Sequence, residues 1–366
     1  MIKVQFDHQT FSMHKFGGIS RYFASIQESL SKEPDFTFDR GILYTTNHYL
    51  KDQSFPLPKL IGDLFLQKER RRSKWNKRYA KLKIKKNDFD VFHPTYYNPY
   101  FLRKLNGPPI VLTVHDMIHE LFPEYFPHFD DTIYLKRLLI EKADHFIAVS
   151  QNTADDLQRL FNIPDEKITV IHHGFFPAET DSNYIPPYQN YILYVGERGG
   201  YKNFYRFLEA VADVLISNNL NLVCAGSKSF CKAEEETMRR LNIAHLVTHV
   251  APTDGELNQL YSKAKLFVYP SLYEGFGLPI LEAFNNTCPV AISNTSCFEE
   301  VGGNAAAYFD PYDVRSIKET MNMVLLTPGK ADELRAAGAQ QLQKFSLKLC
   351  MEKTIGVYRK LAAKAG

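Results

Sequence analysis

Short apolar runs alternate along the whole chain with stretches in which apolar residues recur every three or four positions. The runs predict strands at 2–6, 39–44, 89–92, 110–114, 145–149 and 168–172, and again at 191–195, 220–225, 246–250, 266–269 and 289–292. The periodic stretches between them predict helices. Behind the run at 191–195, for example, Phe204, Phe207, Leu208, Val211, Val214 and Leu215 share one helical face, and Ile19 to Leu30 forms another helix behind Gly17 and Gly18. Strand and helix in regular alternation argue for an α/β protein, with parallel sheets covered by helices. The rhythm breaks at residues 174–190, GFFPAETDSNYIPPYQN, a polar, proline-bearing stretch without a period. That break divides the chain into units at 1–175 and 176–346, followed by a last helical stretch from about Leu347.

Composition changes this picture little. With 366 residues, 45% of them apolar and 23% charged, the chain is long enough for two substantial cores. Ile2 to Phe6 reads as a first buried strand rather than the core of a secretory signal, and no run approaches the roughly 20 apolar residues needed to span a bilayer. Five cysteines without CxxC spacing suit reduced thiols, hence a cytoplasmic location. The net charge of +3 is unremarkable but unevenly spread. Residues 67–86, QKERRRSKWNKRYAKLKIKK, hold eleven Lys or Arg and a single Glu, with Leu64 and Phe65 just ahead and Trp75, Tyr79, Leu82 and Ile84 interspersed. Two readings stand: a solvated basic helix, or a basic amphipathic helix that lies on an anionic membrane surface. Nucleic acid is not expected as a partner, because neither an aromatic stacking platform nor a known RNA-binding module accompanies the charge.

The chemistry concentrates in two places. SLYEGFGLPILEAF, residues 271 to 284, is a loop turning at Gly275 and Gly277 into a helix that starts near Leu278, with Pro279 in its first turn. Amides at Gly275, Phe276, Gly277 and Leu278 are placed to meet phosphate or sugar oxygens. Glu274 on the loop suits sugar hydroxyls, and Glu282, one turn into the helix, suits a ribose diol. YILYVGERGGYKNF, from 191, is a strand and a Gly-rich turn in which Gly196, Arg198 and Lys202 suit a diphosphate. It has neither GxGxxG nor GK[ST], so it is neither a dinucleotide fingerprint nor a Walker loop. His115 and Asp116 end the apolar strand 110–114, where open α/β sheets bind ligands; the competing reading is a capping Asp beside a structural His. Gly17 and Gly18 allow close approach of backbone to a ligand. Asp88 and Asp90 enter a strand and are not read as a metal site, and His172-His173 lacks a third ligand for zinc.

Taken in order, Gly17-Gly18-Ile19-Ser20-Arg21, Val114-His115-Asp116, Ala148-Val149-Ser150, His173-Gly174, the Gly196/Arg198/Lys202 turn, Tyr261, Pro270-Ser271, the Glu274/Glu282 pair and Phe298-Glu299-Glu300-Val301-Gly302 resemble the retaining glycosyltransferases of family 4. The resemblance runs nearly end to end. It implies the GT-B fold: two Rossmann-like parallel-sheet domains facing a central cleft, with a last segment, 347–366, crossing back to the first domain. It also implies hexose transfer, with mannose from GDP-mannose as one candidate, from a nucleotide-sugar donor to a hydroxyl of a surface polysaccharide or lipid-linked glycan. On that reading Gly17, Gly18, Gly196, Arg198, Lys202, Glu274, Gly275, Phe276, Gly277, Leu278 and Glu282 meet the donor, and His115, Asp116, Glu274, Arg198 and Lys202 carry catalysis. No metal and no cofactor are expected, the nucleotide-sugar being a substrate. A GT-B sugar-nucleotide 2-epimerase and a non-catalytic binding protein on the same fold are the alternatives. The location implied is cytoplasmic, with peripheral attachment to the inner face of the membrane if the basic segment binds lipid.

Overall fold

The computed structural model describes residues 1–177 and 180–365, so two residues of the proline-bearing break, 178 and 179, and the last residue lie outside it. Among the described residues, twelve strands pair in parallel throughout. In the first half β1 (Ile2–Phe6) lies between β2 (Phe36–Asp39) and β3 (Val91–His93), and β4 (Val111–Val114), β5 (His145–Ala148) and β6 (Ile168–Val170) follow in sequence order. A parallel bridge between Phe92 and Ile110 joins the two groups of three. In the second half six strands run in the order β12-β11-β10-β7-β8-β9: β7 (Tyr191–Val195), β8 (Asn221–Ala225), β9 (Val247–Val250), β10 (Leu266–Tyr269), β11 (Val290–Ser293) and β12 (Ala307–Phe309). The neighbours β7 and β10 mark the point where strand order reverses, and the crevice outside the carboxyl ends of such a pair is where ligands of open sheets bind.

The helices that shape the cleft and its flanks are α1 (Gly18–Leu30), α2 (Lys59–Phe65), α3 (Glu69–Lys85), α4 (Gln151–Phe161), α5 (Phe204–Asn218), α6 (Asp254–Lys263), α7 (Leu278–Asn285), α8 (Phe298–Gly302) and α9 (Leu347–Ala365). The six apolar residues on the predicted face of α5 are all buried, against β7, β8 and β12. Thr253 and Glu256 form a reciprocal capping box that starts α6. Along α9, Cys350, Met351, Ile355, Val357, Tyr358 and Leu361 are buried in the core of the first half, with β1 and α1. The Tyr358 hydroxyl lies 2.7 Å from Nδ1 of His93.

Three expectations change. The strand expected over 39–44 lies instead at Phe36–Asp39, because Gly41 takes a positive φ of 60° and the amides of Leu43 and Tyr44 donate to Oδ1 of Asn76 instead of to a neighbouring strand. The three-residue β12 carries too short an alternation to register as a run. The basic segment is not one amphipathic face: Arg72, Asn76, Ala80 and Ile84 face inward, while Leu64, Phe65, Trp75 and Leu82 are exposed. Arg72 donates to the carbonyls of Ser12 and Gln67, which satisfies a buried guanidinium.

Candidate functional site

The turns after β7 and β10 meet beside the strand-order reversal. Lys202 closes the first turn, and its ammonium lies 2.6 Å from Oε1 of Glu274 on the second, with the side chains 14% and 11% exposed. Burial opposes the lysine's charge, but the adjacent carboxylate prevails and holds its pKa above the ordinary value. The loop bearing Glu274 is bonded along its length: Leu272 N–H donates to Tyr201 O, Thr295 Oγ1 to Leu272 O, and Glu274 N–H to Ser296 Oγ. Gly277, with φ at 90°, then turns the chain into α7, with Pro279 in its first turn.

Arg198 stands elsewhere than expected. Its guanidinium is buried and held by Glu234 at 2.9 Å and by the carbonyls of Lys228 and Ser229. A desolvated guanidinium needs such acceptors, and through them Arg198 ties its turn to residues 228–234. Gly196 has a φ of 119°, and its carbonyl packs against Gly226. Of the predicted site residues Gly17, Gly18, Leu278 and Glu282 line the cleft, whereas Gly196, Arg198, Lys202, Glu274, Gly275, Phe276, Gly277, His115 and Asp116 are not among its lining residues.

That cleft, about 950 Å³, opens between the two halves. Gly17, Gly18 and Arg21 line it from the first half, and Ser227, Thr253, Asp254, Leu278 and Glu282 from the second. The starts of α1 and α7 face each other across it: a methyl group at Gly18 would lie 3.7 Å from Leu278. Two helix N-termini directed at one space favour anionic ligands. The Tyr261 hydroxyl donates to Glu282, whose carboxyl is raised in pKa by burial, with that hydrogen bond opposing.

His115 is half-buried beside two residues of the cleft wall, Tyr22 and His173. Its ring stacks on that of His173 at 5.6 Å, Tyr22 stands edge-on to both, and burial lowers both histidines to about 3, so both are neutral near pH 7. Asp116 caps the short turn after β4 by accepting from Ile118 N–H, and its backbone carbonyl accepts from the buried Lys136. The bond from Ile118 is the local backbone bond of an Asp-initiated turn. Gly275 presses its backbone on this strand end so closely that a Cβ would fall 1.7 Å from His115 O. Asp88 and Asp90 both bind Lys3, at the start of β1. His172 bonds to Glu300. Phe16, His48, Tyr49 and Phe176 also line the cleft. Phe16 and Phe176 come from loops and His48 and Tyr49 from a three-residue 3-10 turn, none with a periodicity to reveal it; the Thr253-x-x-Glu256 capping signature marks only its own part of the wall.

Residues 43–178 match Glycosyltransferase Family 4, and residues 176–341 match Glycosyl transferases group 1. O-antigen chain mannosyltransferase B of Escherichia coli is 31% identical over 297 residues, 74% of each chain. O-antigen chain mannosyltransferase RfbU of Salmonella typhimurium is 30% identical over 242 residues, 62% of this chain and 68% of its own. Among solved structures, sucrose-phosphate synthase from Thermosynechococcus elongatus superposes over the full length of both chains with a TM-score of 0.74 at 17% identity. Anabaena Alr3699/HepE, solved with UDP and glucose, superposes over 98% of this chain and all of its own, at 0.70 and 17% identity. The chain belongs to glycosyltransferase family 4, and its two parallel-sheet halves around a cleft are the GT-B fold.

Proposed function

We propose that this glycosyltransferase moves mannose from GDP-mannose to a hydroxyl of a lipid-linked surface polysaccharide, with retention at the anomeric carbon. The mannosyl assignment follows the names of the two O-antigen mannosyltransferases, each covered over more than two thirds of its length. One observation carries the reading of the site: Lys202 and Glu274 lie 2.6 Å apart at the strand-order reversal. The diphosphate and the sugar of a donor share a bond, so a cation for one and a carboxylate for the other must be neighbours. Their pairing across the two turns supports this reading.

On this reading Lys202 and the amides at the start of α7 hold the diphosphate, Glu282 the ribose, and Glu274 with the backbone of 275–278 the sugar. Gly17 and Gly18 close over the diphosphate from the other half, and Arg198 supports the Lys202 turn from behind. His115, neutral, offers hydrogen bonds to the transferred sugar, and Asp116 borders the acceptor's approach. The acceptor hydroxyl attacks the anomeric carbon on the face from which the diphosphate departs. The carbon–oxygen bond to phosphate breaks with its electron pair going to the diphosphate, and the hydroxyl proton passes to a phosphate oxygen. Protein groups contribute position and charge stabilisation. The exposed cations of α3 hold the enzyme on an anionic membrane face, where a lipid-linked acceptor lies.

A thermal-stability screen against nucleotide-sugars tests the donor. A ligand at 100 times its Kd adds about 2.7 kcal/mol to the folded state. GDP-mannose should stabilise the protein more than UDP-glucose or UDP-N-acetylglucosamine, and the matching transfer assay should yield an α-mannoside. Stabilisation by a uridine donor alone would overturn the assignment.

A further inference from the structure

Ser150, His172 and Glu300 stand in sequence motifs but have no part in the donor site. The fold brings them together where its two halves meet. Glu300, on α8 of the second half, sets both carboxylate oxygens on the first amide of α4 in the first half: Gln151 N–H donates at 2.7 and 2.9 Å, and Asn152 N–H at 3.4 Å. His172 Nε2 lies 2.5 Å from the same carboxylate. The first amides of an 11-residue helix are unpaired within the helix and carry the positive end of its dipole, so an acidic side chain seated there is held by charge as well as by hydrogen bonds.

The same turn of α4 also grips the loop that carries Glu274. Ser150, the N-cap, accepts from Thr153 N–H and donates to Gly275 O at 2.7 Å. Asn152 donates to the Tyr273 hydroxyl, which donates in turn to Asp156. Glu274 therefore sits between two residues fastened to α4, and Gly275 rests directly on His115 O. Whatever fixes α4 against the second half also fixes Glu274 against His115 and Asp116.

We propose that Glu300, clasped by the N-terminus of α4 and by His172, is a positioning residue for sugar transfer: it holds the two halves in the closed register that sets Glu274 against the first half. The inference rests on the reading of Glu274 as a ligand of the transferred sugar. Glu300 spends its carboxylate on His172 and on the amides of Gln151 and Asn152, so it acts through the alignment of other groups. Misalignment of reacting groups by about 1 Å costs on the order of 100-fold in rate, whereas binding of the nucleotide to the second half alone needs no such alignment.

The experiment compares Glu300→Ala, Glu300→Gln and Glu274→Gln, using GDP and GDP-mannose, or the nucleotide pair that the stability screen ranks first. Glu300→Ala should lower kcat by about 10- to 100-fold with the Kd of the nucleotide diphosphate changed less than about 3-fold. Glu300→Gln, which keeps the shape but loses the charge, should fall between Ala and wild type. Small-angle scattering should show a larger radius of gyration for Glu300→Ala than for wild type. Full turnover in Glu300→Ala beside lost turnover in Glu274→Gln would overturn this inference alone. Wild-type turnover in Glu274→Gln would overturn the sugar-site reading and this inference with it. Equal losses of kcat and nucleotide affinity in Glu300→Ala would also overturn it, because that pattern marks general destabilisation.

Discussion

At the scale of single residues, Lys202, Glu274 and Glu282 should respond differently to truncation. Lys202→Ala removes a charge-assisted contact worth about 1.5–3 kcal/mol, so turnover should fall by about 10- to 100-fold. Glu282 is assigned to the ribose, a contact similar in ground and transition states, so Glu282→Ala should weaken both GDP and donor binding. Glu274→Ala should lower kcat with little loss in GDP affinity. It also strips a buried ammonium of its partner, and an orphaned buried charge costs about 3–5 kcal/mol. The variant should therefore melt lower than wild type and gain more from added GDP, whose phosphates offer Lys202 a replacement anion. Calorimetry with GDP on all three variants decides the matter. Equal affinity losses in Glu274→Ala and Glu282→Ala would show that these roles are wrongly assigned. The placement of both glutamates, Glu274 on the loop and Glu282 in the helix behind it, was legible from the glycine turn between them. The destination of Arg198 was not, because its partner Glu234 lies 36 positions away and no local pattern couples them.

At the scale of elements, legibility followed how local the determinants are. Pro279 at a helix start and the apolar stripe of α5 are settled within a few residues, and both elements form where expected. The end of β2 depends on Asn76, more than 30 positions away, which diverts two amides. The basic segment shows the same division: its charge was legible, but which face turns inward was set by tertiary contacts. Those contacts sharpen the membrane prediction. Leu60, Ile61, Leu64 and Phe65 are all exposed on α2, and Trp75 and Leu82 are exposed on α3 among its cations. Ile61, Phe65 and Trp75 line a groove of about 460 Å³ with Arg71 at its edge. Apolar side chains beside cations suit the boundary between lipid headgroups and acyl chains. Neutralising Arg70, Arg71 and Lys74 should weaken binding to anionic vesicles by about 1 kcal/mol per charge, reversibly with salt, and leave turnover on a soluble acceptor intact. Arg72 must be spared, since its bonds to Ser12 and Gln67 are structural. Wild-type protein that ignores anionic vesicles at low salt would reduce α3 to a solvated face.

At the scale of the whole molecule, alternation of strand and helix announced two parallel sheets, but strand order and the meeting of the halves rest on contacts between distant residues. One consequence of that assembly is a set of buried or half-buried imidazoles. Burial lowers His8 and His145 to about 4 and His93, His115 and His173 to about 3. An unfolded chain protonates its histidines near 6.5. Between these limits the unfolded state binds more protons than the folded one, so stability must fall as pH falls from about 7.5 towards 4, and the slope from these groups fades above about 7.5. Each can contribute up to about 1.4 kcal/mol per pH unit at the lower end of that range. His93 is the sharpest probe, because its ring bridges Tyr358 of α9 and Thr113 of β4. His93→Gln keeps polar atoms toward both hydroxyls but cannot titrate. The variant should start less stable at pH 7.5, since a fitted ring is lost, yet lose stability less steeply between pH 6 and 4.5. Denaturant midpoints taken across that range give the slope directly. A slope as steep in His93→Gln as in wild type would mean that the buried imidazole between the first sheet and the returning helix does not govern acid sensitivity.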